Sequence, residues 1–255
     1  MTMKTGNTII KTTLLILLMA VSVTMSAVTK AEADSAYVRQ QYQQAINDYE
    51  QLLKKGVSAD IYYNLGNAYY RTDNITRAII NYERALLLQP GDKDIRFNLQ
   101  MARSKTIDKI VPESEMFFFT WYRSLVNVMS VDGWATCALV CLAFSIVFFL
   151  VYLFSSLVWQ RKIGFFGALL LMVVFVFSNV FAHQQKKILA ERLGAIVISG
   201  AAPVKSTPAG NGTDLFVLHE GTKVNITDST MQEWFKVRLV DGKEGWIAAK
   251  DIERI

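Results

Sequence analysis

Residues 133–159 carry no charged side chain. At about 1.5 Å per residue a helix of that length rises about 40 Å, which exceeds the roughly 30 Å hydrocarbon layer of a bilayer. A soluble helix needs a polar side toward water, and this stretch has none, which disfavours a pair of buried helices in a soluble protein. Gln160-Arg161-Lys162 interrupts, and a second apolar run extends from Ile163 to Ala182. So short a break permits only an antiparallel turn. The sequence therefore predicts a two-helix transmembrane hairpin, with spans at 133–159 and 163–183 and Trp134 and Trp159 near the ends of the first, where indole rings favour the interface. An even number of crossings leaves the segments before and after the hairpin on one side of the membrane.

The amino terminus suggests which side. Lys4 and Lys11 precede an apolar run from Leu14 to Met25, and Ala31-Glu32-Ala33 follows as a small-x-small site. That is the order of a cleaved secretory signal, read here as residues 1–33, with Met25-Ser26-Ala27 as a second site. Both flanking regions are then expected in the periplasm of a bacterial envelope, with the chain held in the inner membrane. Arg161 and Lys162 suit a cytoplasmic turn, whereas Lys186 and Lys187 run against the charge rule. Within residues 111–132, Phe117, Phe118, Phe119, Trp121 and Tyr122 mix with Glu115 and Arg123, the composition of an amphipathic helix lying on the membrane surface.

Residues 34–110 read as a tetratricopeptide-repeat (TPR) helical module. Tyr62, Leu65, Gly66 and Tyr69, then Ala78, Tyr82, Ala85 and Pro90, hold the small, aromatic and breaking positions of one antiparallel helix pair. Small residues are needed where two helices touch, aromatic rings fill the space beside them, and Pro90 cannot continue a helix. Ala45, Tyr49 and Leu52 precede Ala78, Tyr82 and Ala85 by a constant 33 residues, marking an earlier repeat whose first helix, near Asp34–Arg39, looks shortened. Asp94 to about Ile107 is expected as a capping helix. Barely two repeats and a cap lie near the lower limit of independent stability, so the module is expected to lean on the membrane or a partner. Stacked repeats bind extended protein segments on the concave face made by the first helices. Tyr63, Asn67, Tyr70 and Arg71, with Asn98 on the cap, are the residues expected to line it.

After Leu193 the pattern changes to short alternating strands, expected at 195–198, 215–218, 223–227, 234–240 and 244–247. Asp241-Gly242 is a tight-hairpin signal, and Pro203 and Pro208 break the first third. Five strands in about sixty residues suggest a small barrel. Glu220-Gly221-Thr222-Lys223-Val224, Trp234 with Val237, and Gly245-Trp246-Ile247 resemble a bacterial SH3-like domain over residues 194–255, which would place Trp234 and Trp246 in the core and need Gly245 at a sharp bend. The fold class is thus a multidomain membrane protein: all-α TPR repeats, a transmembrane hairpin and a C-terminal all-β SH3-like barrel.

Catalysis finds no footing in this pattern. His183 and His219 have no Cys, Asp or His partner at recognisable spacing, and no phosphate loop, zinc spacing or G-x-S-x-G elbow is present. The expectation is a non-enzyme with no metal and no cofactor. Cys137 and Cys141 lie four residues apart within the apolar run, as small packing residues do. The net charge of +5 is spread over every soluble segment without a basic block, which argues against nucleic acid.

The order of signal, TPR, paired spans and SH3-like domain, with Asp94-Ile95-Arg96-Phe97-Asn98-Leu99 through Asp108, resembles the BatE proteins of the Bacteroides aerotolerance system. That resemblance implies a non-catalytic partner in an inner-membrane complex of Bat proteins, some carrying von Willebrand A domains, linked to oxidative-stress tolerance. The alternative implied by the SH3-like domain is a peptidoglycan-binding anchor.

Overall fold

A computed structural model of the chain describes residues 28–114 and 116–255. The signal-sequence reading falls mostly on residues 1–27, outside the described residues. Helix α1 (Lys30–Val38) starts on a capping box in which the Thr29 side chain accepts from the Glu32 amide and Glu32 accepts from the Thr29 amide at 2.8 Å. It is indeed shorter than the corresponding α3, but it begins ahead of Asp34 and buries Ala33 and Ala36. Helices α2 (Tyr42–Leu53), α3 (Ala59–Arg71), α4 (Ile75–Leu88) and α5 (Lys93–Ser104) complete two antiparallel pairs and a cap. The repeat positions account for the packing. Ala45, Leu65, Ala68, Ala78 and Ala85 are buried, and Gly66 is required because a Cβ there would lie 2.7 Å from the Tyr82 ring.

Helix α6 (Phe117–Val126) follows, exposing Phe117, Phe118, Phe119 and Trp121. Helices α7 (Val131–Phe154) and α8 (Val158–Glu191) form the hairpin. The turn comes at Ser155–Leu157, earlier than the charged triplet at 160–162, because Ser155 leaves the helical region and its hydroxyl takes the Leu157 amide. Arg161 then sits in the first turn of α8 and donates from Nε to the Ser155 carbonyl at 2.7 Å, so Trp159 belongs to the second helix. Close packing relies on small residues: a Cβ on Gly164 would strike the Tyr152 amide and the Phe148 carbonyl, Gly167 meets the Phe148 ring, and Cys141 is buried as a free thiol. Both helices are long and apolar enough to cross a membrane, and only 11% of the most apolar stretch of each is buried, unlike the core helices of a soluble protein.

Helix α8 ends at Arg192, which takes a left-handed conformation (φ 42°), and the β domain begins. It has seven strands: β1 (Gly194–Val197), β2 (Ala202–Lys205), β3 (Asp214–Leu218), β4 (Lys223–Asp228), β5 (Trp234–Arg238), β6 (Glu244–Ala248) and β7 (Ile252–Arg254). They pair antiparallel in the order β3-β2-β6-β5-β4-β1-β7 around one apolar core. Two strands were missed by pattern. β7 is only three residues long, and β2 contains Pro203, which a strand tolerates where pairing is sparse; β2 meets β6 at a single rung, Lys205 to Trp246. The order ends on β3 and β7 without a rung between them, so the sheet wraps its core without closing as the expected barrel.

The expected core placement of Trp234 and Trp246 does not hold: both are only half-buried. Along β5 and β6, Phe235 pairs with Ile247 and Val237 with Gly245, and these residues face the core. Alternation then turns Trp234, Lys236 and Trp246 outward. Gly245 has a packing reason instead of a bend, since a Cβ there would strike the Val204 side chain.

The module leans on the β domain. Ile196 of β1 and Ile255 are buried in the same cluster as Ile79, Ile80 and Ile95 of the helices. Around that contact Glu253 takes Arg77 at 2.7 Å and Arg84 at 2.9 Å, and Lys223 reaches Glu83 at 2.7 Å. The Glu83 side chain, 3% exposed, is also bonded by Arg103. Gly221 (φ 83°) fits against Ile79 and Thr106, where any side chain would collide. The helical module and the β domain therefore form a single packed body at one end of the hairpin.

Candidate binding surfaces

The five residues expected on the concave face come together around one cavity of about 340 Å³: Tyr63, Asn67, Tyr70 and Arg71 from α3, and Asn98 from α5. Their roles diverge. Asn67 Oδ1 accepts from the Tyr82 hydroxyl at 2.8 Å and from Asn98 Nδ2 at 2.9 Å, and Asn98 also donates to the Tyr63 hydroxyl at 3.0 Å. Burial, with Tyr63 and Tyr37 nearby, raises the pKa of the Tyr82 phenol, so that group remains a protonated donor. The amides thus shape the floor. Replacing Asn67 by Ala would leave the Tyr82 hydroxyl without its acceptor, at a cost of about 1–3 kcal/mol.

Tyr70 and Arg71 stand nearer the rim. Lys105 lies over the Tyr70 ring, 4.4 Å from its centroid, and Arg71 is exposed and donates weakly to the Tyr37 hydroxyl at 3.4 Å. Tyr37, from α1, also lines the cavity and was not among the expected residues. A signal for it exists, since it precedes Tyr70 by 33 residues, the step that relates the two repeats. Phenols on two sides, an amide floor and a guanidinium at the mouth suit an extended peptide with an acidic side chain or terminus.

A second surface is the outer face of the β domain. Trp234, Lys236 and Trp246 share one side of β5 and β6, and Lys205 of β2 is the direct neighbour of Trp246. Lys205 is paired with Asp214 at 2.7 Å and Lys236 with Glu244 at 3.0 Å, so the half-buried tryptophans offer stacking planes beside ion pairs.

His219 has a partner that spacing concealed. Its ring Nδ1 lies 2.8 Å from Asp108 Oδ1, while Asp108 Oδ2 accepts the His219 amide and the Thr222 hydroxyl, each at 2.7 Å. Burial opposes ionisation of Asp108, but these donors outweigh it and hold the carboxyl below its ordinary range. The chain separation is 111 residues, far beyond any motif. Asp108 clasps the segment leaving the helical module to the β domain. His183 is exposed.

With this geometry in hand, two classes of domain are recognisable by comparison. Residues 30–95 match the tetratricopeptide repeat family model. Residues 200–253 match the bacterial SH3 domain family model. Comparison of the whole chain with curated proteins found no match. The protein thus combines a TPR region, whose relatives mediate protein–protein contacts, with a bacterial SH3 region, a class suggestive of cell-wall binding.

Proposed function

We propose that this protein is a non-catalytic, membrane-anchored docking platform that presents its TPR groove in the periplasm to a peptide segment of another envelope protein. The observation that carries the reading is the groove itself. Tyr63, Asn67, Tyr70, Arg71 and Asn98 converge on an open concavity that no residue of the β domain lines, while Ile196 and Ile255 pack among the isoleucines of α4 and α5. Membrane anchoring is supported by two largely unburied apolar helices, and a shared side for both domains by their mutual packing at one end of the hairpin. The architecture and the resemblance to BatE favour a Bat-type inner-membrane complex as the setting.

Export by a cleaved signal belongs to the same reading, with the cut after Ala27 in place of Ala33. Cleavage after Ala33 would remove Thr29 and Glu32, the capping box of α1, together with buried Ala33. Intact-mass measurement of the mature chain should give Val28 as its first residue.

The test uses the full chain purified in detergent as bait for solubilised envelope proteins. A stoichiometric partner should be captured by wild type, lost with Tyr70→Ala/Arg71→Ala, and kept with Trp234→Ala/Trp246→Ala. A partner indifferent to the groove variant rejects the groove as the docking site. A second reading, a peptidoglycan-binding anchor, is favoured by the outward tryptophans beside Lys205 and Lys236. It predicts that the full chain sediments with wall sacculi and that the tryptophan variant does not.

A further inference from the structure

A larger cavity, about 960 Å³, lies where the three parts of the molecule meet. Helices α4 and α5 supply Leu86, Leu87, Lys93 and Arg96, helix α6 supplies Phe119 and Tyr122, the end of α8 supplies Gln185 and Ile188, and Lys223 reaches in from β4. One end of this lining is apolar and continuous with the exposed aromatic side of α6 and with the hairpin. The other is cationic: Lys93, Arg96 and Lys223 face it, with Glu83 the one carboxylate in its lining among the described residues. That carboxylate is already shared by Lys223 and Arg103. Lys93 has no carboxylate partner among the described residues, and Arg96 donates only to the Pro90 carbonyl, at 2.5 Å.

Gln185 supplies an independent indication. It is 6% exposed, and its Nε2 donates to the Val126 and Met129 carbonyls, both at 2.7 Å. Two carbonyl partners fix which end of the amide is nitrogen. Its Oε1 is then a buried acceptor with no donor among the described residues, a condition proteins rarely leave unmet. The wall of the cavity thus combines excess positive charge, an acceptor awaiting a donor and an apolar floor, at the level where the hairpin would leave a bilayer.

We infer that this cavity seats one membrane glycerophospholipid, with its phosphate among Lys93, Arg96 and Lys223, a headgroup hydroxyl or ammonium toward the Gln185 wall, and its acyl chains along α6 and the end of α8. The volume suits a headgroup with its glycerol and the first methylenes. A free anion would leave the apolar floor empty, and a neutral lipid would leave the cations unanswered. The inference rests on the reading that the hairpin lies in a membrane. Occupancy would brace the soluble body against the hairpin, setting the height of both binding surfaces above the bilayer.

The experiment is native mass spectrometry of the delipidated full chain in detergent, titrated with dioleoylphosphatidylglycerol or dioleoylphosphatidylethanolamine. Dioleoylglycerol and glycerol 3-phosphate serve as tail-only and phosphate-only probes. Expected is saturable binding of one phospholipid per chain, with neither partial probe displacing it. At about 1 kcal/mol for each cation near a phosphate, Lys93→Gln/Arg96→Gln should weaken it on the order of thirtyfold. Ser124→Trp, which fills the cavity without altering its charge, should abolish it. Non-saturable binding, or equal binding by both variants, means surrounding lipid only and overturns the proposal; so does glycerol 3-phosphate binding as well as the lipid. Alkaline carbonate extraction of cell membranes separates the two readings. A chain that stays in the membrane but shows no specific lipid loses the cavity proposal alone, and a chain released into solution loses both.

Discussion

Where the helical module meets the β domain, Ile196 and Ile255 are buried among the isoleucines of α4 and α5, and six charged side chains close over them. Where that combined body meets the segment entering the hairpin, one contact is a glycine against a backbone carbonyl, Gly91 at Val128, beside a cavity of about 960 Å³. The first junction excludes water and shares a core, so its two halves should unfold together. The second has few interlocking side chains and should adjust without cost to the body. A module of barely two repeats and a cap packs against a neighbour from a different fold class.

The strongest way to break this contrast is Ile196→Ala. A fully buried isoleucine between the two domains should cost about 2–5 kcal/mol, and the helical signal at 222 nm should fall with the β domain in one transition. Helices that keep their midpoint while the sheet melts would show two independent domains. Glu83→Ala comes next, at about 2–3 kcal/mol, because it strips Lys223 and Arg103 of a charged acceptor whose side chain is 3% exposed. Chemical denaturation should register it as a lower midpoint with an unchanged slope. Gly91→Ala probes the looser junction. The new methyl would strike the Val128 carbonyl, and protease cleavage at 127–130 should accelerate while the melting of the body shifts by under about 1 kcal/mol.

Asp108 offers the smallest and most graded test. Its carboxyl is held below the ordinary aspartate value of 3.8 in the folded state. Its contribution is therefore complete above that value and is lost as the pH falls through the folded one. Acid titration of stability below about pH 4 should flatten in Asp108→Asn, and a profile unchanged by the substitution would remove the clasp from the account.

How much was legible in the chain depended on the range of the interaction. Repeat spacing located α3, α4 and the groove residues, since Tyr63, Asn67, Tyr70 and Arg71 recur on one side of a single helix. It could not tell that Asn67 and Asn98 bond each other and Tyr82, because that requires the distance between α3 and α5. β2 was hidden by Pro203, and the outward turn of Trp234 and Trp246 by the weight normally given to tryptophan as a core residue. Their alternation with Val237 and Ile247 was already visible. The Asp108–His219 pair, 111 residues apart, left no local trace.

By itself the sequence determined the periodic and the apolar: two helices long and apolar enough to cross a membrane, helix pairs at a 33-residue step, and short alternating strands, written in regular spacings. Only the tertiary structure decided that Ile196 and Ile255 of the SH3-like region join the core of the repeats, that the tryptophans face out, and that a cationic cavity opens beside the hairpin. Those features arise between segments distant in the chain, where complementarity of shape and charge leaves no period to read.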